Sequence, residues 1–127
     1  MDLSIIIVTW NSENLIRRCL QSIIDETKEQ EYEIIIVDNA SQDQTVKIAM
    51  NEFNSRVKII QNEKNLGFAS AVNKGLKVAK GEFITLLNPD TKVIDDALEQ
   101  MSIYMRENPQ IGILGPNLMN EDETTQA

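Results

Sequence analysis

The chain has 127 residues, a formal net charge of -8 and no histidine. That length suits one ordinary domain with a substantial core, and the acidic balance excludes a nucleic-acid backbone as partner, which needs a basic face. The missing histidine removes Ser-His-Asp and Cys-His catalysis and the common His-based zinc sites.

The hydrophobic share of 42% and charged share of 25% are those of a globular protein. No apolar run reaches the ~20 residues of a membrane span, and nothing at the start reads as a signal peptide. A single cysteine, Cys19, leaves no intramolecular disulfide and fits a reducing compartment. These features predict a cytoplasmic domain.

In chain order, LSIIIVT (3–9) is a continuous apolar run of the kind that forms a strand buried on both faces. Asn11 or Ser12 is placed to cap a first helix, whose stripe is Leu15, Ile16, Cys19, Leu20, Ile23 and Ile24. YEIIIVD (32–38) predicts a second buried strand. Ser41 and Gln44 resemble a capping box before a helix striped by Val46, Ala49, Met50 and Phe53. RVKIIQN (56–62) is a third strand. Phe68, Val72, Leu76 and Ala79 stripe a third helix, with Gly81 as its stop and Gly75 inside it for close packing. EFITLLN (82–88) is a fourth strand, and Ile94, Ala97, Leu98, Met101 and Met105 stripe a fourth helix. QIGILGP (110–116) reads as a fifth strand, and the polar NEDETTQA that follows reads as frayed or cut. The alternation predicts an α/β fold, a three-layer αβα sandwich on a mainly parallel sheet.

Open sheets of this kind bind ligands beyond the carboxyl ends of the strands. The residues there are Thr9-Trp10-Asn11-Ser12, Asp38-Asn39-Ala40-Ser41, Asn62-Glu63-Lys64-Asn65 and Asn88-Pro89-Asp90. Such residues also cap helices and make turns, but four strands ending this way suggest one shared crevice. Neither G-x-G-x-x-G nor the P-loop pattern is present, so a dinucleotide site and a P-loop are excluded. An Asp on a turn preset by Pro89 either makes an Asx-turn that starts the fourth helix or suits a hard cation that also binds phosphate oxygens, which makes Asp90 the candidate metal ligand. Asp38 either caps the second helix region or accepts N–H or ribose O–H bonds from a nucleoside. Gly67 is placed to let backbone approach a ligand at a helix start. Cys19 belongs to the core. Trp10 either stacks on a base or packs beneath the first loop.

The stretches SIIIVTWNSENLIRRCLQSI, EIIIVDNASQDQT, NEKNLGFASAVNKGLKVAKGEFITLLNPDT and IGILGPNLM together resemble the N-terminal half of a family 2 glycosyltransferase. The resemblance implies a GT-A, Rossmann-like nucleotide-diphospho-sugar transferase fold and inverting sugar transfer. NLGFASAVNKG with LLNPDT is most similar to the rhamnosyltransferase-like branch of cell-surface polysaccharide assembly. By resemblance, Thr9 and Asn11 border base and ribose, Asp38 contacts the base, and Asn65 and Gly67 lie against the nucleotide. Asn88-Pro89-Asp90 stands at the D-x-D motif, with Asp90 holding Mn²⁺ or Mg²⁺. Asn88 departs from that motif: it is neutral, can still bond ribose or sugar, and lowers the expected metal affinity.

The resemblance implies a UDP- or dTDP-linked donor, with dTDP-rhamnose among the candidates, and a glycan or lipid-linked acceptor. It makes residues 1–127 the nucleotide-sugar-binding part of a truncated domain. The acceptor half and the general base are then expected beyond residue 127. Peripheral association with the inner face of a membrane is compatible with this activity. A non-catalytic nucleotide-binding module, or a nucleotidyltransferase-like domain, is the alternative.

Overall fold

The computed structural model describes residues 1–116. Four strands, β1 (Leu3–Thr9), β2 (Tyr32–Asp38), β3 (Val57–Gln61) and β4 (Phe83–Leu87), alternate with helices α1 (Ile16–Glu26), α2 (Thr45–Phe53), α3 (Phe68–Val78) and α4 (Ala97–Glu107). A 3-10 turn, Asn54–Arg56, links α2 to β3. The sheet order is β3-β2-β1-β4 and every pairing is parallel. The order in which strands are added therefore reverses at β1, outward through β2 to β3 and then back to β4 on its other side, which makes the gap between β1 and β4 the topological switch point.

The register explains why β1 and β2 read as unbroken apolar runs. Ile5, Ile6 and Ile7 pair with Ile34, Ile35 and Ile36 at the centre of the sheet. All six are buried, because helices cover both faces there. Each such side chain contributes about 1.5–3 kcal/mol by leaving water. Leu3, Ile5, Ile7, Ile34 and Ile36 face α1, α2 and α4; Ile6, Ile35 and Val37 face α3. The edge strands β3 and β4 are less completely covered. On β4, Ile84 and Leu86 stay exposed beside the α3 face, which has one helix where the other has three.

Several predicted details are corrected. The α1 face is Ile16, Cys19, Leu20 and Ile23 as expected, but Leu15 precedes the helix and is exposed. Neither Asn11 nor Ser12 caps α1; the Ser12 carbonyl accepts from the Leu15 and Ile16 amides while its side chain is engaged with Trp10. Ser41 and Gln44 form no capping box, because Ser41 bonds Asp38 and the turn into α2 is made by Asp43 accepting from the Thr45 amide. The buried face of α2 is Thr45, Ala49 and Phe53, which leaves Met50 outside.

In α3 the buried face is Ala71, Val72 and Gly75, with Phe68 and Leu76 exposed. Small residues win because the helix lies close to the sheet: a Cβ on Gly75 would sit 2.9 Å from Ile6 Cγ2. The helix ends at Val78, before Gly81. Gly81 instead allows close approach to β1, since a Cβ there would fall 2.4 Å from the Ser4 amide nitrogen. The fifth strand does not form. Residues 110–116 pair with neither sheet edge, and Ile113 is 93% exposed. Gly112, Gly115 and Pro116 leave three apolar residues there, too few to repay the ordering of a strand. Residues 120–127 lie outside the described part.

Candidate functional site

Parallel strands bring Thr9, Asp38 and the residues after Gln61 and Leu87 to one end of the sheet. Asp38 lies opposite Thr9 in register, and both side chains are buried. The Thr9 hydroxyl donates to Asp38 Oδ1 at 2.7 Å, and the Ser41 hydroxyl donates to the same oxygen at 2.6 Å. The Ser41 amide donates to Oδ2 at 2.9 Å. Asp38 is therefore both a structural acceptor and a group with acceptor capacity left on Oδ2.

The loops after β1 and β2 are tied to each other. The Asn11 amide donates to Ser41 Oγ at 2.8 Å, and Asn11 Oδ1 accepts from the Gln42 amide at 2.8 Å. The Ser12 amide donates to Thr45 Oγ1 at 2.8 Å. Asp43 accepts from the Glu13 amide, and Glu13 accepts from the Gln44 amide. Burial pushes the Asp43 carboxyl up, but the Thr45 hydroxyl, the Thr45 amide and the Glu13 amide donate to it and hold it below the ordinary value. Asn11 and Ala40 have φ of 48° and 62°, in the left-handed region that side chains enter at a cost. The hydrogen bonds across the two loops hold both residues there. Trp10 does not pack beneath the loop; the residue is 58% exposed.

Asn65 and Gly67 form the third wall. Asn65 Oδ1 accepts from the Gly67 amide at 2.9 Å, and Gly67 adopts φ 84° and ψ 171° as α3 begins. That conformation is open to glycine almost alone. Asn39, next to Asp38, joins this wall to β2: its Nδ2 donates to the Gly67 carbonyl at 3.1 Å. Asn39 and Asn62 stand among the strand-end residues expected at the crevice, but the sequence assigns neither a role of its own. A signal was present, since both follow a strand directly, but nothing in the sequence says that their amides bond each other.

On the β4 side, the Asn88 carbonyl accepts from the Thr91 amide at 3.1 Å and the Thr91 hydroxyl at 2.6 Å. The turn is thus closed by Thr91 and preset by Pro89, and it leaves the side chains of Asn88 and Asp90 exposed. Cys19 lies under it, its thiol directed at the Asn88 carbonyl at 3.8 Å. Burial pushes that thiol up to about 11 and Asp90 adds to the shift, so Cys19 is a packing residue and no nucleophile.

Asp90 and Asn88 fit a hard cation only as a partial set. No cluster of three or more His, Cys, Asp or Glu exists among the described residues. One carboxylate plus an amide oxygen suits Mg²⁺ or Mn²⁺ when a diphosphate completes the shell. The shallow hollows on either side of α1 lie elsewhere and are lined mainly by polar and charged side chains such as Arg17, Lys47 and Glu52.

The profile of Glycosyl transferase family 2 matches residues 4–127. The chain belongs to this family. It is 36% identical over 120 residues to a poly(ribitol-phosphate) beta-glucosyltransferase of Bacillus spizizenii, covering 91% of this chain and 19% of the relative. It is 34% identical to the poly(ribitol-phosphate) beta-N-acetylglucosaminyltransferase TarP of Staphylococcus aureus, covering 88% of this chain and 35% of the relative. Among solved structures, S. aureus TarS 1-349 in complex with UDP-GlcNAc superposes with a TM-score of 0.76 at 32% identity, over 84% of this chain and 32% of that one. The chain thus spans well under half the length of these relatives. The expected α/β architecture is that of the GT-A transferases. No helix among the described residues is long and apolar enough to cross a membrane.

Proposed function

We propose that this chain binds the nucleotide-diphosphate-sugar donor of an inverting glycosyltransferase in the crevice between the ends of β1, β2 and β4. The observation that carries the reading is the paired Thr9–Asp38 site, buried and hydrogen-bonded, facing the switch point with Asp90 on the far side. Asp38 Oδ2 and the backbone of the Asn11 loop take the nucleoside; Asn65 and Gly67 close on it from the α3 side. Asn88 would bond ribose or sugar, and Asp90 would hold Mn²⁺ or Mg²⁺. When bound, the cation offsets the charge of the departing diphosphate.

In inverting transfer an acceptor hydroxyl oxygen bonds the anomeric carbon as its bond to the diphosphate oxygen breaks. The electron pair leaves with the nucleoside diphosphate, and the hydroxyl proton passes to a base. Among the described residues we assign no base. Asp38 is committed to Thr9 and Ser41, and Asp90 to the cation. TarS in complex with UDP-GlcNAc favours a UDP-linked donor over the dTDP-rhamnose that NLGFASAVNKG suggests. The two poly(ribitol-phosphate) transferases favour a cell-surface polyol-phosphate or glycan acceptor for the whole enzyme. Trp10 is the single tryptophan and lies exposed at the crevice, so its fluorescence reports binding. Titration with UDP, UDP-GlcNAc, UDP-glucose and dTDP-rhamnose, with and without Mn²⁺, tests the reading. UDP compounds binding tighter, and more so with metal, is expected; no response to any nucleotide refutes it.

A further inference from the structure

Behind the Asn65–Gly67 loop lies a chain of hydrogen bonds with a fixed direction. Lys74 Nζ donates to Asn62 Oδ1 at 2.7 Å. Asn62 Nδ2 donates to Asn39 Oδ1 at 2.9 Å, and the Leu66 amide donates to that same oxygen at 3.3 Å. Asn39 Nδ2 then donates to the Gly67 carbonyl at 3.1 Å. Both asparagines are buried, at 3% and 5% exposure.

An amide side chain can turn over and exchange its donor and acceptor ends. A lysine ammonium can only donate. It therefore forces Asn62 Oδ1 toward itself, which turns Asn62 Nδ2 toward Asn39 and Asn39 Nδ2 toward Gly67. We propose that Lys74 is a positioning residue: through the Asn62–Asn39 amide pair it sets the orientation that holds the Leu66–Gly67 backbone against the donor site. The inference rests on the reading of the crevice as a nucleotide site. Gly67 alone is poorly suited to hold this conformation, since nothing lies within 4 Å of where its Cβ would be. The Asn39 bonds, together with the bond from the Gly67 amide to Asn65 and the one from the Ala71 amide to the Gly67 carbonyl, supply the restraint that packing does not.

The test has two arms that fail separately. In the first, amide hydrogen exchange is followed without ligand. Lys74→Met is expected to speed exchange of the Leu66 amide about tenfold, the loss of about one part-buried hydrogen bond, and Lys74→Arg, also a pure donor, to restore it. In the second, UDP and uridine are titrated by Trp10 fluorescence. Lys74→Met is expected to weaken both about tenfold, Lys74→Arg to rescue both, and Asn62→Asp to weaken both although the lysine remains. Unchanged Leu66 exchange in Lys74→Met overturns the relay whether or not nucleotide binds. Loss of UDP with uridine binding intact also overturns it, because the lysine would then touch phosphate itself. Wild-type protein that binds neither ligand refutes the donor-site reading and leaves the exchange arm to decide the relay.

Discussion

Replacing Asp38 by alanine removes a group that the fold and the proposed ligand both use, and the two losses can be read apart. The carboxylate accepts from the Thr9 hydroxyl, the Ser41 hydroxyl and the Ser41 amide. Thr9 is fully buried, so its stranded hydroxyl costs about 2 kcal/mol; the two Ser41 donors, partly open to water, cost roughly 0.5 kcal/mol each. The sum is about 3 kcal/mol, a fall of roughly 2 M in the urea midpoint for a slope of about 1.5 kcal/mol/M. A domain of this size has about 5–15 kcal/mol to lose, so the variant still folds at low denaturant. Under those conditions, loss of the remaining acceptor on Oδ2 is expected to weaken uridine by about 1–3 kcal/mol, or roughly five- to 150-fold. Urea denaturation and Trp10 titration of the same sample measure both. An unchanged midpoint would refute the hydrogen-bond accounting, and a lower midpoint with unchanged uridine affinity would make Asp38 purely structural.

Asp90→Ala is expected to abolish the metal-dependent part of nucleotide binding and leave the unfolding free energy from urea denaturation within about 0.5 kcal/mol of wild type, since its side chain is exposed; equal binding by both proteins in saturating Mn²⁺ would reduce Asp90 to a turn residue. Gly81→Ala is expected to lose about 1–3 kcal/mol by urea denaturation, because its Cβ would meet the backbone of Leu3 and Ser4 at 2.6 and 2.4 Å as well as the Ser4 hydroxyl at 2.7 Å. Glu33 is buried at the opposite end of the sheet from the crevice; burial pushes its carboxyl up, but Lys58, the Ser4 hydroxyl and the Lys80 amide together hold it below its ordinary 4.5. A depressed carboxyl stabilises the fold above its unfolded value, and that stability goes as pH falls from about 4.5 through the lower folded value. The midpoint of Glu33→Gln is therefore expected to depend less on pH than that of wild type between pH 7 and 3, and parallel pH curves for the two proteins would contradict this.

The sheet was legible because burial on both faces leaves a mark that does not depend on tertiary detail. Seven-residue runs such as LSIIIVT and YEIIIVD have few other uses in a globular chain. Helix faces were legible where bulk meets bulk, as in α1, and misread where closeness matters more than size. In α3 the sheet is approached through Ala71 and Gly75, so Phe68 and Leu76 turn outward, and a rule that seeks large apolar residues rotates the helix the wrong way. The caps failed for a related reason. Ser12, Ser41 and Thr45 are ordinary capping residues, yet the Ser41 and Thr45 hydroxyls accept from the Asn11 and Ser12 amides, 30 and 33 positions away, and the Ser12 hydroxyl bonds Trp10. Local propensity cannot weigh a partner that only the folded sheet brings near.

The same distribution of bonds divides the crevice into two mechanical parts. On the β1–β2 side, Asn11, Ser12, Glu13, Asp38, Ser41, Gln42 and Asp43 are joined across the two loops, and the Asn39–Asn62 pair extends the joint to Gly67. On the β4 side, the Asn88–Asp90 turn is closed locally by Thr91, and the Cys19 thiol beneath it is a weak partner. Preorganised groups bind without first spending energy on order, whereas a loosely tied carboxylate gains its geometry from what it binds. The β1–β2 wall is thus suited to reading the nucleoside in the absence of metal, and the Asp90 turn to responding once diphosphate and cation arrive together. On this argument, metal should raise the affinity for UDP and leave that for uridine unchanged. A metal effect of equal size on both ligands would show that the cation orders the whole crevice, and the two-part division would fall.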